Sequence, residues 1–468
     1  MDILDQMRAA IGDTYVLTGA DCDGWTRDWT GQYTSTPLAV LRPQTTAQVA
    51  AIMRIAQTTR TPVSPVGGNT GLNGGTYTDG GLMLSLDRMN QITIDAKGRT
   101  ATVGAGVILA NLHDAAAQHD LIFPLTFGAR GSAMIGGALS TNAGGSNVLR
   151  YGNTRDLVMG LETVMADGSI MSLMGALHKD NSGLNLKHLM IGAEGTLGII
   201  TSAVVKLAPK PRAYATAMVA VASLDVALSL LQDLQTASGN AVEAFEFMPR
   251  AYMQGHAALF PDLRQPLADI HDVTLLIELG ATAPRDADPL PDGTVPITAL
   301  LTDHLMPYLQ DDRIADAAIA QNEDQRAKMW AIREAAAEIA FARTPFVDTD
   351  IAVALPDVAT FLDRMKTRLH ALDPDATDLS VAHLGDGNVH YTAYPSRDDP
   401  ALKSAIKTAV EDEVAALHGS FSAEHGVGVS KLATMQRRKD PTALATMRAI
   451  KAALDPHNIL NPDKTIPR

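Results

Sequence analysis

The sequence predicts an α+β protein with two or three domains. Its 468 residues are too many for one hydrophobic core of ordinary size. Beyond Pro211 strand-like and helix-like stretches alternate, which predicts a sheet covered by helices. Before that point lie two glycine-rich runs, residues 65–81 and 124–152, whose small residues offer little to a core. We therefore expect a ligand-binding domain followed by a second, layered domain.

The composition is that of a globular protein and disfavours two classes of partner. Hydrophobic residues make up 46% and charged residues 19%, and the net charge of −14 argues against nucleic acid and anionic membranes as partners. An acidic substrate would then need cations inside its pocket. No run of 18 apolar residues predicts a membrane span. Cys22 is the single cysteine and the first residues lack a secretory pattern, so we expect a cytoplasmic protein.

Short strands and helices surround the glycine runs in the first 210 residues. We expect, in order, a helix over 2–11, a strand and a helix over 36–59, a strand over 63–66, a helix over 107–120 and a hairpin over 161–173. The helix in 36–59 should begin at Thr45 or Thr46, and the hairpin should turn at Asp167-Gly168. Pro209-Lys210-Pro211 is the expected domain boundary.

The second half alternates between strand and helix patterns. We expect strands over 215–222, 242–248, 273–279, 347–356 and 377–384, and helices over 223–238, within 313–342, over 356–372 and over 441–454. The proline-rich, acidic stretch 281–296 predicts a solvated loop.

The two glycine-rich runs predict a binding site for a large ligand. The first, PVGGNTGLNGGTYTDGG, offers backbone N–H groups of the kind that bind phosphates. The second, PLTFGARGSAMIGGALSTNAGGSNVLRYG, suits a backbone that lies flat against a ring system. Neither has the Gly-x-Gly-x-x-Gly pattern that opens a helix in dinucleotide-binding folds. The alternative is a small-residue contact between helices or a flexible linker.

These runs, in this order and followed by LRYGNTRD, resemble the flavin-binding domain of the vanillyl-alcohol-oxidase family, also called PCMH-type. The later motifs HLGDGNVH and SAEHGVG are similar to those of its D-2-hydroxy-acid dehydrogenases, the branch with D-2-hydroxyglutarate and D-lactate dehydrogenases. The resemblance covers nearly the whole chain. It implies a PCMH-type FAD domain over residues 1–210, a ferredoxin-like α+β substrate cap over 211–422, and a C-terminal segment, 423–468, that returns to the FAD domain.

The resemblance also implies which residues contact FAD. They lie in the two glycine runs, around Gly195 and near the C-terminus: Pro65, Gly67, Gly68, Asn69, Thr70, Gly71, Leu72, Pro124, Gly128, Gly131, Ser132, Ile135, Gly136, Thr141, Asn142, Gly144, Gly145, Tyr151, Gly195, Gly198, Ile200 and Asn461. Family members that attach FAD covalently often have a histidine where this chain has Asn69. We therefore expect FAD to bind non-covalently.

The motif HLGDGNVH, residues 383–390, predicts a β-hairpin with two histidines on one face. Asp386-Gly387 is typical of a two-residue turn, which would place His383 directly opposite His390. Their Cβ atoms would then lie about 5 Å apart, a separation that suits two ligands of one divalent metal. The alternative is a hairpin with two surface histidines.

The motif SAEHGVG, residues 422–428, offers candidates for the rest of such a site. Glu424 would be a third ligand that leaves coordination positions open for substrate, and His425 would titrate near neutral pH. In the resembled dehydrogenases the matching residues are metal ligands and a base. The resemblance thus implies His383, His390 and Glu424 as ligands of zinc or manganese, His425 as the base, and Asn388 as a residue near the substrate.

This set of residues implies the oxidation of an alcohol. A Lewis-acidic metal lowers the pKa of the substrate hydroxyl, His425 accepts its proton, and the hydride on Cα passes to flavin N5, which leaves a 2-oxo acid. Arg333, by its residue type alone, would be a solvated charge on a helix. It lies in the Trp-x-x-Arg-Glu pattern of the family, which implies that it binds the substrate carboxylate as a bidentate clamp.

Two positions depart from the D-2-hydroxyglutarate pattern. Ala337 stands where that pattern has threonine, and Asp348 stands where it has lysine, which is closer to the D-lactate branch. The glycine runs, SAEHGVG and residues 186–201 still favour D-2-hydroxyglutarate as the first expected substrate. D-lactate, or a role as a glycolate-oxidase-type flavoprotein subunit, is the alternative.

Four functions are compatible with the residues. The first is a dehydrogenase that passes electrons to an electron-transfer flavoprotein, a quinone or a cytochrome, and the second is an oxidase of the same fold that uses O₂. Oxygen reactivity depends on access to the flavin, which the residues do not reveal. The third is a metal hydrolase built on His383, His390 and Glu424. The fourth is a flavin-binding subunit that needs partner proteins, and a homodimer is the simplest further assembly.

Overall fold

The computed structural model describes residues 2–468. Its strands are β1 Val16–Leu17, β2 Ala39–Leu41, β3 Val63–Val66, β4 Leu82–Ser85, β5 Ile92–Asp95, β6 Thr100–Gly104, β7 Leu121–Ile122, β8 Val158–Val164, β9 Ile170–Leu173, β10 Ile199–Lys206, β11 Ala208–Pro209, β12 Ala213–Val221, β13 Val242–Pro249, β14 Val273–Ala281, β15 Ile314–Ile319, β16 Val347–Ala352, β17 Thr377–His383 and β18 Asn388–Tyr394.

The helices alternate with these strands along most of the chain. They are α1 Ile3–Ile11, α2 Asp23–Thr26, α3 Thr46–Thr59, α4 Leu109–Ala117, α5 Ile135–Thr141, α6 Val148–Tyr151, α7 Leu186–Met190, α8 Leu224–Ser238, α9 Arg250–Leu259, α10 Pro284–Ala287, α11 Pro296–Gln310, α12 Glu323–Glu334, α13 Ala336–Phe341, α14 Val358–Leu372, α15 Pro400–Ala416, α16 Leu432–Arg438 and α17 Pro441–Leu454. Within residues 2–468, every helix is too short or too polar to cross a lipid bilayer. The mixture of helices and strands confirms the α+β class.

The chain folds into two compact units. The first comprises the chain up to Gly144 together with Gly152–Pro209 and Glu424–Arg468, and the second comprises Gly145–Tyr151 and Lys210–Ala423. The main chain therefore leaves the second unit and enters the first between Ala423 and Glu424.

Two sheets form the framework of the first unit. The smaller sheet has the order β1-β2-β4-β3, in which β2, β4 and β3 run parallel to one another and β1 is antiparallel to β2. The larger sheet has the order β5-β6-β10-β8-β9 and is antiparallel. Strands β2 and β4 are buried along their whole length, as is usual for parallel strands covered on both faces. The C-terminal segment runs beside β3, where the N–H of Asn461 donates to the carbonyl oxygen of Val63.

The second unit is built on a seven-stranded sheet with the order β15-β12-β14-β13-β17-β18-β16. Strands β12 to β15, with α8 and α11 between them, have the order of a ferredoxin-like βαββαβ unit, and the hairpin β17–β18 and β16 extend it. Alternate residues of each strand point to opposite faces of the sheet. One face packs against α8, α11, α14 and α15 in a large apolar core, and the other faces α9, α12 and α13.

The expected helix within 313–342 is wrong at its beginning. Residues Ile314–Ile319 form the edge strand β15, which pairs with β12, so strand pairing overrides the local helix propensity of an alanine-rich segment. Helix α12 begins only after Asn322, whose side chain accepts a hydrogen bond from the N–H of Gln325. The helix is also interrupted at Ala335, which separates α12 from α13.

Candidate active site

The two glycine-rich runs lie against each other in the first unit. A Cβ on Gly68 would fall 2.0 Å from the carbonyl oxygen of Ser132, so the backbones approach more closely than any other residue allows. Gly195, with φ of +73°, lies in the same way against Pro65. The side-chain amide of Asn461 donates to the carbonyl oxygens of Glu194 and Gly75. Four distant segments of the chain therefore converge at one place.

Other glycines of these runs face open space. A Cβ added at Gly71, Gly128, Gly131 or Gly137 would meet no neighbouring atom within 4 Å. A backbone that is packed on one side and bare on the other can hold a large flat group without steric conflict. The first unit thus has room for a group such as FAD at the glycine-rich runs, as expected from the sequence.

Most of the expected FAD contacts belong to the first unit. Gly145 and Tyr151 belong to the second, where the hydroxyl of Tyr151 donates to Glu243 at 2.7 Å. The side chain of Asn69 donates to the carbonyl oxygen of Arg27, and that of Asn142 accepts from the N–H of Arg155. These two asparagines therefore use their side chains to hold neighbouring loops.

The predicted hairpin is present in the second unit, but the predicted register is wrong. His383 pairs with Asn388, and His390 pairs with Val381, because residues 384–387 form a four-residue loop. The N–H groups of Asp386 and Gly387 both donate to the carbonyl oxygen of His383. The two histidines are therefore diagonal neighbours on one face, with ring centroids 5.5 Å apart. A ring nitrogen of His383 lies within 4.8 Å of a ring nitrogen of His390, which fits two ligands of one metal ion.

Glu246 on β13 connects His383 with Arg333. Its carboxylate lies 2.8 Å from Nδ1 of His383 and accepts a 2.8 Å hydrogen bond from Nε of Arg333. All three side chains are buried, and Glu246 is only 1% exposed. Burial raises the pKa of Glu246, but its contacts with His383 and with the charged guanidinium group of Arg333 lower it below its ordinary value, so the carboxyl is ionised.

Arg333 keeps part of its guanidinium group available. Its Nη2 is buried and has no hydrogen-bond partner among residues 2–468. An unpaired buried donor is unfavourable by about 1–3 kcal/mol, and a carboxylate ligand would satisfy it. Arg333 therefore has the geometry of an anion-binding residue, not of the solvated helix charge that its residue type alone predicts.

Helix α12, which carries Arg333, is fixed to the sheet at a second buried acid. Arg326 donates two hydrogen bonds of 2.7 Å to Glu278 on β14. Trp330 and Thr216 donate to the same carboxylate at 2.9 and 2.6 Å. The position of Arg333 thus depends on side chains from two neighbouring strands.

Asn388 and Asp350 complete the polar part of this sheet face. The side-chain amide of Asn388 donates to Asp350 at 3.0 Å, and its Oδ1 is buried with no partner among the described residues. Asp350 lies directly opposite His390 in the pairing of β16 with β18. The second unit therefore brings together the predicted residues Arg333, His383, His390 and Asn388.

Glu424 and His425 lie in the first unit, in a loop that other residues of that unit hold. Asn73 donates to the carbonyl oxygens of His425 and Gly426, both at 2.8 Å. The carboxylate of Glu194 accepts from the N–H groups of Val427 and Gly428, also at 2.8 Å. A Cβ on Gly144 would lie 2.6 Å from Oε1 of Glu424, so this glycine leaves room for the Glu424 side chain.

The sequence interpretation missed Glu246, Asn73 and Glu194. Glu246 could have been suspected, because VEAFEFM places two acids in an otherwise apolar strand. Asn73 and Glu194 lie within glycine-containing stretches that had been interpreted only as backbone contacts.

Comparison with known proteins identifies two domain families in this chain. Residues 37–174 match the model of an FAD binding domain, and residues 210–465 match the C-terminal domain of FAD linked oxidases. A D-2-hydroxyglutarate dehydrogenase of Xanthomonas citri is 35% identical over 95% of this chain and 92% of its own. A mitochondrial protein of Schizosaccharomyces pombe named as a D-lactate dehydrogenase is 32% identical over 96% of this chain and 85% of its own.

The fold also occurs in a solved structure of lower similarity. The crystal structure of p-cresol methylhydroxylase superimposes with a TM-score of 0.75 over 99% of this chain and 96% of that one, at 16% identity. This likeness confirms the PCMH-type fold. The glycine runs, the sheet face and these relatives together establish that the chain belongs to the FAD-linked D-2-hydroxy-acid dehydrogenases, which are oxidoreductases that act on a CH–OH group.

Proposed function

We propose that this protein oxidises a D-2-hydroxy acid to the corresponding 2-oxo acid with the help of a divalent metal. D-2-hydroxyglutarate is the first expected substrate. The substrate loses a proton from its hydroxyl group and a hydride from Cα, which together account for two electrons and two hydrogens. Bound FAD supplies the acceptor for the hydride.

The observation that carries this proposal is the buried, unpartnered Nη2 of Arg333 on the sheet face that also bears His383 and His390. A 2-hydroxy acid has a carboxylate next to its hydroxyl group. Arg333 binds that carboxylate and so orients the neighbouring hydroxyl. The buried Oδ1 of Asn388 is an acceptor that can receive a hydrogen bond from the same substrate.

We assign the metal to His383, His390 and Glu424, as zinc or manganese. This assignment is supported by the short distance between ring nitrogens of the two histidines, which is within 4.8 Å. It is also supported by the contact of Nδ1 of His383 with Glu246, which leaves Nε2 as the ligand atom. The bound metal supplies Lewis acidity, which lowers the pKa of a substrate hydroxyl.

We assign His425 as the base that accepts the hydroxyl proton on a ring nitrogen. This assignment is supported by the hydrogen bonds of its loop, because Asn73 holds the backbone at His425 and Gly426, and Glu194 holds it at Val427 and Gly428. A base must be held at a constant position to accept a proton efficiently. The electrons then leave to an electron-transfer flavoprotein, a quinone or a cytochrome.

D-lactate is a second candidate substrate, and Asp348 favours it. Asp348 lies on β16 opposite Thr392, whose hydroxyl donates to it at 2.8 Å. Asp348 and Asp350 are two residues apart on β16, so their side chains point to the same face of the sheet. Asp348 therefore adds negative charge to the face that bears His390. Such a charge opposes a second carboxylate on the substrate and is neutral toward a methyl group.

The test is a dye-reduction assay with D-2-hydroxyglutarate, D-lactate, D-malate and their L-enantiomers. Activity with D-acids and none with L-acids supports the proposal, and activity with L-acids contradicts it. The variant Asp348→Asn should have a kcat/KM for D-2-hydroxyglutarate that is about threefold to tenfold higher than that of the wild type, whereas its kcat/KM for D-lactate should change little. The exposed residue Asp363, on α14, provides the control Asp363→Asn, which should change neither.

We propose a cytoplasmic location from the composition, with its single cysteine, although the S. pombe relative carries a mitochondrial name.

A further inference from the structure

Glu246 occupies a position that none of the proposed catalytic or metal-binding roles includes. It is 87 residues from Arg333 and 137 residues from His383 in the chain, and it contacts both at 2.8 Å. The three residues come from β13, α12 and β17. One buried carboxylate thus joins the proposed carboxylate clamp to a proposed metal ligand.

The contact with His383 decides which ring nitrogen can bind a metal. An ionised carboxylate only accepts hydrogen bonds, so Nδ1 of His383 must carry the hydrogen that it donates to Glu246. The lone pair of the neutral ring is then on Nε2. A metal ligand needs that lone pair, and a carboxylate behind the ring also makes the ligand nitrogen more basic.

The contact with Arg333 decides which part of the guanidinium group can bind a substrate. Glu246 accepts from Nε, and Nη2 is left buried and unpaired among the described residues. The guanidinium group is planar, so holding Nε fixes the direction of the terminal nitrogens. The same carboxylate also offsets the positive charge of Arg333 in a buried place.

We propose that Glu246 is a positioning residue that sets the ligand nitrogen of His383 and the orientation of Arg333 at the same time. The proposal rests on the proposed function, because it assigns the metal and the substrate carboxylate to these two side chains. Through Glu246, metal affinity and substrate affinity depend on one carboxylate. Neither effect requires Glu246 to touch the substrate or the metal.

The variant Glu246→Gln separates a carboxylate from an amide of the same shape. An amide has one oxygen to accept hydrogen bonds and an NH₂ group that only donates. If the NH₂ group faces His383, Nδ1 must lose its hydrogen and Nε2 must gain it, so Nε2 can no longer bind a metal. Nδ1 of His383 lies 2.9 Å from Oε1 and 2.8 Å from Oε2 of Glu246, so an amide nitrogen at either position faces Nδ1. An amide nitrogen at the Oε2 position also faces Nε of Arg333, which would turn the guanidinium group.

The matched control is Glu278→Gln. Glu278 is also a buried acid on the same sheet face, 3% exposed, and it also binds an arginine of α12, but its partners are Arg326, Trp330 and Thr216 and include no histidine. A general effect of neutralising a buried acid beneath α12 would appear in both variants. An effect on the His383 nitrogen would appear only in Glu246→Gln.

The experiment measures Zn²⁺ and Mn²⁺ affinity of the FAD-loaded protein by competition with a chromophoric chelator. Glu246→Gln should bind the metal about 10- to 100-fold more weakly, with FAD content unchanged. The KM for the hydroxy acid should rise as well. Glu278→Gln should keep the metal affinity of the wild type, and Arg333→Lys should raise KM without changing metal affinity. A folded Glu246→Gln protein with wild-type metal affinity would overturn the proposal.

A measurement on the wild type keeps the proposal testable if Glu246→Gln does not fold. Nitrogen chemical shifts of ¹⁵N-labelled histidine, assigned by comparison with His383→Gln, report which ring nitrogen carries the hydrogen. The metal-free protein should have His383 with its hydrogen on Nδ1, and a hydrogen on Nε2 alone would overturn the proposal. If the wild type binds neither metal at all, the proposed metal site itself is wrong, which is a different result from a failure of Glu246 alone.

Discussion

The side-chain amide of Asn73 donates a 2.8 Å hydrogen bond to the backbone carbonyl oxygen of His425. The two residues are 352 positions apart in the chain, and Asn73 lies within the first glycine-rich run. The carbonyl oxygen of Asn73 in turn accepts from the N–H groups of Val429 and Ser430. The proposed base is thus held by the same run of the first unit that is expected to bind FAD.

Asn73→Asp should lower kcat without releasing FAD. A carboxylate cannot donate to the carbonyl oxygens of His425 and Gly426, and it repels them, so two hydrogen bonds worth roughly 1 kcal/mol each are lost. We expect kcat to fall about 10-fold or more. Steady-state kinetics and flavin absorbance check this result together. Asn111→Asp, at an exposed position of α4, should keep normal kcat; equal rates in both variants would mean that Asn73 does not position the loop.

His425→Ala should keep the yellow colour and the metal but lose turnover. Loss of a general base lowers the rate by about 10²- to 10⁴-fold, whereas the proposed FAD contacts and metal ligands are other residues. Single-turnover reduction of the flavin with substrate is the measurement. The exposed residue His457 provides the control His457→Ala. Full activity in His425→Ala would remove this residue from the role of base.

Removal of divalent metal should abolish activity reversibly. The proposed ligands are two histidines and one carboxylate, so a strong chelator competes for the metal. Without the metal, the pKa of the substrate hydroxyl group is too high for its proton to be removed. Dialysis against the chelator, followed by addition of Zn²⁺ or Mn²⁺, tests this by activity and by elemental analysis. An enzyme that works at full rate after all metal has been removed would contradict the metal assignment.

Buried Lys464 should make the free energy of unfolding depend on pH between about 8 and 10.5. The side chain is only 5% exposed, and burial lowers its pKa from 10.5 to about 8. In that pH range the unfolded chain binds a proton that the folded protein lacks. Stability therefore rises with pH across this range, and below pH 8 the charged lysine is unfavourable by about 3 kcal/mol.

Lys464→Met should remove this pH dependence. We expect the variant to be more stable than the wild type at pH 7 and the difference to shrink as pH approaches 10.5, because the neutral lysine and methionine are similar in shape. Urea unfolding of both proteins across this range measures the difference. Lys179→Met changes an exposed lysine and should show no such trend. A constant difference between Lys464→Met and the wild type would mean that Lys464 keeps an ordinary pKa.

The local patterns predicted the elements of the site but not their exact pairing. The HLGDGNVH hairpin was predicted, yet its loop is four residues long and packs closely against distant parts of the chain. A Cβ on Gly387 would fall 2.1 Å from the carbonyl oxygen of Val353, and one on Gly385 would touch Leu149. Both contacts involve residues far away in sequence, which no local turn preference includes.

Local sequence patterns could not predict the residues that hold the site together, because their contacts also join distant parts of the chain. Glu246 meets His383 and Arg333 only after β13, β17 and α12 have assembled. The edge strand β15 likewise owes its conformation to pairing with β12, although its alanines favour a helix. Motif order predicted the cofactor and the class of enzyme, since glycine runs and histidine pairs carry their chemistry in short stretches.

A D-2-hydroxy acid should reduce FAD bound to this chain. The most direct measurement is the absorbance spectrum of the purified protein under nitrogen while D-2-hydroxyglutarate, D-lactate, D-malate and their L-enantiomers are added one at a time. We expect a flavin band that is bleached by a D-acid and not by its L-enantiomer. A protein without flavin, or a flavin band that no D-acid bleaches while the metal is bound, would contradict it.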